Sequence, residues 1–82
     1  MKSIREELKK LGIELESRYL IYKTQEKITV IPYYHIRSLE LKGTKIFIQT
    51  GGVERMVIDI PNQSLAMELF NDLLIHIEKV YL

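Results

Sequence analysis

The sequence contains no cysteine among its 82 residues, which excludes a disulfide, a thiolate metal site and a cysteine nucleophile. Histidine occurs only twice, at His35 and His76, too few for a typical zinc site. A chain this short buries only about 60% of its unfolded surface. The fold must therefore be held by core packing, by self-association or by both.

A clear excess of one charge is also missing, because 12 basic residues face 11 acidic ones and the formal net charge is +1. Nucleic-acid-binding proteins usually carry a marked basic excess, so this balance disfavours that class. No unbroken apolar run exceeds four residues, and no apolar segment follows the first charges. We therefore predict a cytoplasmic protein with no export signal, no membrane insertion and no cofactor.

Glycine and proline are scarce, at four and two residues, while 46% of the chain is hydrophobic, which argues against disorder. The patterning predicts a single α+β domain over residues 1–82. A short helix over residues 4–11 precedes a four- to five-stranded antiparallel meander, and a long amphipathic C-terminal helix from Asn62 to about Tyr81 packs on one face. Asn62 is the expected N-cap of that helix, with Ser64 as a competitor. The expected strands are residues 13–23, 28–31, 36–41, 45–50 and 54–60.

Both faces of the expected sheet carry apolar side chains. The better core set, which the long helix would cover, is Leu15, Tyr19, Ile21, Ile28, Val30, Ile46, Ile48, Met56, Ile58 and Ile60. The opposite face still holds Leu20, Tyr22, Ile31, Phe47 and Val57, more than a solvated sheet face usually shows. Three apolar residues of the first helix, Ile4, Leu8 and Leu11, are too few to cover it. We therefore predict a protein-interaction or assembly module that forms a homo-oligomer, or binds another protein, through this sheet face or the broad helix. The alternative is that the first helix and barrel-like curvature cover this face within one chain.

No constellation of catalytic or metal-ligating residues is recognisable. Asp72 and His76 stand four apart on the long helix, so their side chains can touch, but no serine or threonine lies in a nucleophile turn. Gly51-Gly52 is expected to form a hairpin turn, because a strand rather than a helix follows it. The sequence therefore predicts that the protein is not an enzyme.

The segment Tyr33-Tyr34-His35-Ile36-Arg37 is unusual, because aromatic and basic residues follow a proline that bends the chain. Such residues can stack on nucleobases. An alternative function is therefore single-stranded nucleic-acid binding by Arg18, Tyr33, Tyr34, Arg37 and Arg55. The simpler interpretation is that the two tyrosines straddle a bend, one buried and the other in water. The balanced charge keeps nucleic acid possible but not favoured.

The run Ile31-Pro32-Tyr33-Tyr34-His35-Ile36-Arg37-Ser38-Leu39-Glu40-Leu41 resembles a strand segment of bacterial pleckstrin-homology-like domains. The passage from Ile58-Asp59-Ile60-Pro61-Asn62 into the final helix is also similar to that family. The resemblance implies a binding or assembly module, often oligomeric, with no catalytic residues to carry over. A weaker resemblance, in the Tyr33 to Ile36 segment, is to Sm-like RNA-binding domains, although the long C-terminal helix departs from that pattern.

Overall fold

The computed structural model describes residues 4–52 and 55–81 and confirms the α+β class. Two three-stranded antiparallel sheets, ordered β1-β2-β3 and β4-β5-β6, replace the single expected meander. The elements are α1 (Ile4–Lys10), β1 (Ile13–Leu15), β2 (Tyr19–Lys23), β3 (Ile28–Pro32), a 3₁₀ turn (Tyr33–His35), β4 (Ile36–Lys42), β5 (Lys45–Thr50), β6 (Arg55–Asp59) and α2 (Gln63–Tyr81).

The division into two sheets occurs at the proline corner. Pro32 ends β3 with a φ of −63° and leads directly into the 3₁₀ turn, after which β4 pairs with β5 rather than with β3. Pro32 still stands opposite Tyr19, and the 3₁₀ turn that follows it takes the chain out of the first sheet. The sequence predicted the corner, but it did not predict that the corner separates two sheets.

The expected long strand over residues 13–23 is in fact a hairpin. Its two strands, β1 and β2, are joined at Ser17 and Arg18, and the Glu16 N–H donates to the Tyr19 carbonyl oxygen at 2.9 Å. Leu15 therefore pairs directly with Leu20. Because directly paired residues share a face, the inward side changes from odd positions in β1 to even positions in β2.

This change of parity reverses the predicted faces of β2 and β3. Leu20 and Ile31, predicted on the outward surface, are directly paired and buried in the core. Tyr19, Ile28 and Val30, predicted in the core, are exposed, and Ile21 is only half-buried. The predicted faces of β2 and β3 were wrong because one continuous strand was expected where the chain turns at Ser17 and Arg18.

The second sheet agrees with the predicted alternation. Ile46, Ile48 and Ile58 lie in the core, as does Ile60 immediately after β6. The opposite face of β5 and β6 is largely polar. Both sheets and both helices contribute to one cluster of buried side chains: Leu8, Ile13, Leu15, Leu20, Ile31, Tyr33, Ile36, Ile46, Ile48, Ile58, Ile60, Leu65, Ala66, Leu69 and Leu73.

The two helices close this core. In α1, Leu8 is buried and the helix contacts β1; the chain then turns through Gly12, whose φ of +85° suits glycine. The Asn62 side-chain oxygen accepts the Leu65 N–H at 2.8 Å, which confirms Asn62 as the N-cap of α2. The buried side of α2 contacts the 3₁₀ turn, β4, β5 and α1. Neither helix, within the residues described, is long and apolar enough to cross a membrane.

Candidate interaction surfaces

The five residues of the predicted interaction surface do not lie on one surface. Leu20 and Ile31 are in the core, and Tyr22 is half-buried against it. Phe47 and Val57 are paired with each other on the outward face of the second sheet. That face also carries Arg55, whose guanidinium carbon lies 4.9 Å from the centre of the Phe47 ring and shields it. The predicted patch is therefore divided between the interior and a largely polar face.

The exposed apolar surface is the outer face of the first sheet, which we define as Tyr19, Ile21, Ile28, Val30 and Pro32. The cross-strand pairs Ile21–Val30 and Tyr19–Pro32 make these side chains contiguous. Ile28 is 66% exposed and Val30 is 53% exposed. At one end of this face, Lys23 and Glu14 form a salt bridge of 3.0 Å. That bridge, together with the positive charge of Lys23, lowers the pKa of the Glu14 carboxyl group.

The free edge of β3 adjoins this apolar face. The Thr24 N–H donates to the Lys27 carbonyl oxygen, so Thr24 and Lys27 form a hydrogen-bonded pair. Hydrogen-bonded and non-hydrogen-bonded pairs alternate along an antiparallel ladder. The N–H and C=O groups of Ile28 and Val30 therefore point away from β2. Within the described residues, no strand pairs with that edge. The edge therefore offers unpaired backbone groups beside two exposed β-branched side chains.

The other three sheet edges differ from the free edge of β3. The three-residue strand β1 contacts α1, and β4 contacts α2. The remaining edge strand, β6, alternates the charged residues Arg55 and Asp59 with Val57 on its outward face. Charged side chains on an edge are a common protection against pairing with another chain. Such protection is absent from Ile28 and Val30.

The outward side of α2 carries a second, weaker group of exposed apolar residues. Met67, Leu74 and Ile75 are exposed, but the exposed Asn71 and Glu78 stand among them at helical spacing. The outer face of the first sheet is also mixed, because Glu14 and Lys23 share it with the five apolar residues, but it adjoins an unpaired strand edge.

The two tyrosines after the proline corner have opposite environments, as the simpler interpretation of the sequence expected. Tyr33 is completely buried, and its hydroxyl donates to the Glu16 carbonyl oxygen at 2.7 Å. Its ring centre lies 5.3 Å from that of His76. Burial of Tyr33 and, secondarily, the negative charge of Glu16 raise the pKa of its hydroxyl above the ordinary value. Tyr33 therefore cannot belong to a nucleic-acid surface, and that part of the prediction was wrong.

Tyr34, in contrast, is 67% exposed and belongs to a cluster of three rings. Its ring centre is 5.7 Å from that of His35 and 6.1 Å from that of Tyr81, and the two tyrosine planes differ by only 24°. The Tyr81 hydroxyl donates to the Tyr34 carbonyl oxygen at 3.2 Å, which ties the end of α2 to the 3₁₀ turn. Tyr81 was not among the predicted site residues, because its place beside Tyr34 depends on the packing of α2.

Asp72 and His76 do not form a catalytic pair. His76 Nδ1 lies 2.7 Å from the backbone carbonyl oxygen of Asp72, not from its carboxylate. Because a carbonyl oxygen can only accept, Nδ1 must carry the proton in this contact. The histidine is thus held against its own helix and packs on the Tyr33 ring.

No metal-binding group is present in residues 4–52 and 55–81, since these hold no cluster of three or more histidine, aspartate or glutamate side chains. Thr50 ends β5 and is followed by bends at Gly51 and Gly52. The remainder of the predicted hairpin turn, at Val53, and the first residue of the predicted last strand, Glu54, lie outside the described residues.

Comparison with known proteins gives no relative from which a function can be transferred. No family model, no curated protein and no solved structure matches the chain.

Proposed function

We propose that this protein is a non-enzymatic assembly module that forms a homodimer through the free edge of β3, which joins the outer faces of the two first sheets into one surface. The observation that carries the proposal is the coincidence of an unpaired strand edge with exposed Ile28 and Val30 on that same strand. A resemblance to pleckstrin-homology-like domains, which often assemble, supports the same function.

A second copy fits this edge better than an unrelated strand, because β3 is complementary to itself. In an antiparallel pairing about a twofold axis, Ile28 of each copy stands opposite Val30 of the other. Their outward N–H and C=O groups then satisfy each other, and their side chains meet on one face. Twofold contacts of this kind are the commonest form of self-association. Pro32 limits the paired segment to the beginning and middle of the strand.

The size of the contact indicates a weak dimer. A stable interface covers about 800 Å² per partner, which is roughly one seventh of the 5936 Å² surface of this chain. Pairing of two strand edges buries less than that, because it places the two outer faces side by side in one sheet and leaves Tyr19 and Ile21 outside the contact. The dimer should therefore form only at high protein concentration.

Sedimentation-velocity centrifugation between 10 and 200 µM tests the proposal. We expect the unmodified protein to sediment as a dimer at the upper end of this range, and Val30→Lys to shift it to monomer because a lysine on the edge opposes pairing. Val57→Lys is the matched control, since Val57 is an exposed valine on the edge strand of the other sheet and is 42% exposed. It should leave the dimer intact.

Three results would count against this interface. An unmodified protein that remains monomeric at 200 µM would overturn self-association itself. Equal effects of Val30→Lys and Val57→Lys would show that the edge of β3 has no special role. A dimer that resists Val30→Lys but dissociates with Ile75→Lys would place the contact on the outward side of α2. Far-ultraviolet circular dichroism of each variant confirms that the fold is retained.

A further inference from the structure

The environment of Tyr34 combines an exposed aromatic ring with positive charge on two sides. One open depression beside the ring is lined by His35, Arg37, Thr50, Gly51 and Gly52. The other is lined by Ser17, Arg18, Pro32, Lys79 and Val80. Tyr34 lines both, so the two depressions adjoin at this residue.

The positive charge in these depressions is not compensated by the described residues. No acidic side chain in residues 4–52 or 55–81 lines either depression. Arg18, Arg37 and Lys79 also form no salt bridge within those ranges. The depression beside α1 differs, because there Arg5 and Lys9 stand among the three acidic residues Glu6, Glu14 and Glu16. The local field around Tyr34 is therefore basic although the whole chain is nearly neutral.

The fold places these side chains together from three separate parts of the chain. Arg18 is in the β1–β2 turn, and Lys79 is in the last turn of α2. Arg37 is the extra residue of a β-bulge, where the pairing of β4 with β5 shifts between Ile36 and Ser38. Bulges often redirect a side chain, and the Arg37 guanidinium lies beside Gly51, close to the start of the loop that lines the depression.

We propose that this Tyr34 patch, consisting of Arg18, Tyr34, Arg37, Lys79 and Tyr81, binds single-stranded nucleic acid. A base stacks on the exposed Tyr34 ring. The phosphate on one side of that base contacts Arg18 and Lys79, and the phosphate on the other side contacts Arg37. Stacking on an aromatic side chain contributes binding energy for any base. Arginine binds phosphate through paired N–H donors, and lysine adds a point charge. A ligand of this chemistry satisfies both the ring and the separated cations.

The patch retains only part of the nucleic-acid surface expected from the sequence. Arg18, Tyr34 and Arg37 remain, whereas Tyr33 is buried and Arg55 lies on Phe47 on the outer face of the second sheet. Arg55 is thus an arginine beside an aromatic ring on the same sheet as Arg37, but outside the patch. That arrangement makes it a suitable internal control.

Fluorescence anisotropy of a labelled 12-nucleotide single-stranded RNA at 20 mM salt, with the full chain as titrant, tests the inference. We expect saturable binding that Tyr34→Ala weakens about tenfold and that Arg37→Ala also weakens. Tyr34→Phe, which keeps the stacking surface, and Arg55→Ala should each bind within twofold of the unmodified protein. With three phosphate-contacting cations, the logarithm of affinity should fall with the logarithm of salt concentration with a slope of about −2.

Several outcomes would overturn the inference. These are no binding at 100 µM protein, equal losses for Arg37→Ala and Arg55→Ala, or equal affinity for a double-stranded competitor. If uridine monophosphate binds as tightly as the 12-nucleotide strand, the ligand of the patch is a free nucleotide and not a strand. If an acidic peptide competes equally well, the patch is a general anion site. If Tyr34→Ala fails to fold by circular dichroism, Arg18→Ala serves as the second variant for the same comparison.

Discussion

The Tyr33 hydroxyl donates a 2.7 Å hydrogen bond to the Glu16 carbonyl oxygen, and this bond connects the corner between the two sheets with the first hairpin. A second bond acts at the same place, because the Tyr33 N–H donates to the Arg18 carbonyl oxygen at 3.0 Å. Tyr33 therefore fixes the corner through both its backbone and its buried side chain. Its neighbour Tyr34 is consequently directed into solvent, where the proposed nucleic-acid patch lies.

Tyr33→Phe removes the hydroxyl while keeping the ring, so it measures the side-chain bond alone. We expect the free energy of unfolding to fall by about 1–2 kcal/mol, because the carbonyl of Glu16 loses its partner in a part-buried position. Tyr34→Phe is the control, with an expected change within about 0.5 kcal/mol for an exposed site. Urea denaturation followed by circular dichroism measures both. A change of equal size in the two variants would contradict the role of Tyr33.

The same residue predicts a loss of stability in alkaline solution. Because burial raises the pKa of Tyr33 in the folded state, the neutral hydroxyl is favoured there. This contribution is fully present below about pH 10, the ordinary tyrosine pKa. It declines as the pH rises further, by up to about 1.4 kcal/mol per pH unit, because only the unfolded state then ionises.

Urea denaturation of the unmodified protein and Tyr33→Phe between pH 8 and pH 11 isolates this contribution. Other groups that titrate in this range are common to both proteins, so the difference between the two curves reports Tyr33. We expect the difference to be constant up to about pH 10 and to shrink above it. Parallel curves over the whole range would contradict the prediction.

The two glycines with positive φ provide another matched pair. Gly12 has a φ of +85°, and a Cβ atom there would collide with the Lys23 carbonyl oxygen. The same glycine accepts the Lys23 N–H at 2.7 Å, so the two backbones cannot separate without losing that bond. Gly43, with a φ of +63°, has open space around it.

We therefore expect Gly43→Ala to destabilise the protein by about 1 kcal/mol, the effect of the left-handed backbone alone. Gly12→Ala should destabilise it by about 3 kcal/mol or more, because backbone atoms must also move. Thermal unfolding of both variants at one protein concentration measures the contrast. Similar midpoints would show that the close approach of Gly12 to Lys23 relaxes freely.

The sequence predicted the features that depend on local signals. The final helix, the strand over residues 45–50 and the inward isoleucines of the second sheet follow from periodicity. The faces of β2 and β3 were not predictable in this way, because the two-residue turn at Ser17 and Arg18 carries neither glycine nor proline. When the turn is read as part of one strand, the predicted faces of all side chains in β2 and β3 are inverted.

The Tyr34 patch shows the same limit at the level of the candidate site. Arg18, Tyr34 and Arg37 were recognisable as basic and aromatic residues near a proline corner. Lys79 and Tyr81 were not, because only the packing of α2 against the 3₁₀ turn brings them there. Spatial neighbours that are about 45 residues apart leave no periodic signal in a single sequence.

The N-cap of α2 gives a last prediction, which separates two candidates that the sequence left open. The Asn62 side-chain oxygen accepts the Leu65 N–H at 2.8 Å, and Leu65 lies in the buried start of the helix. Asn62→Ala should lower the free energy of unfolding by about 1 kcal/mol, since a helix N–H loses its acceptor. Ser64→Ala should change it by less than about 0.5 kcal/mol, because Ser64 is an exposed residue inside the first turn. Urea denaturation of the two alanine variants decides between them, and a larger loss for Ser64→Ala would move the cap to that residue.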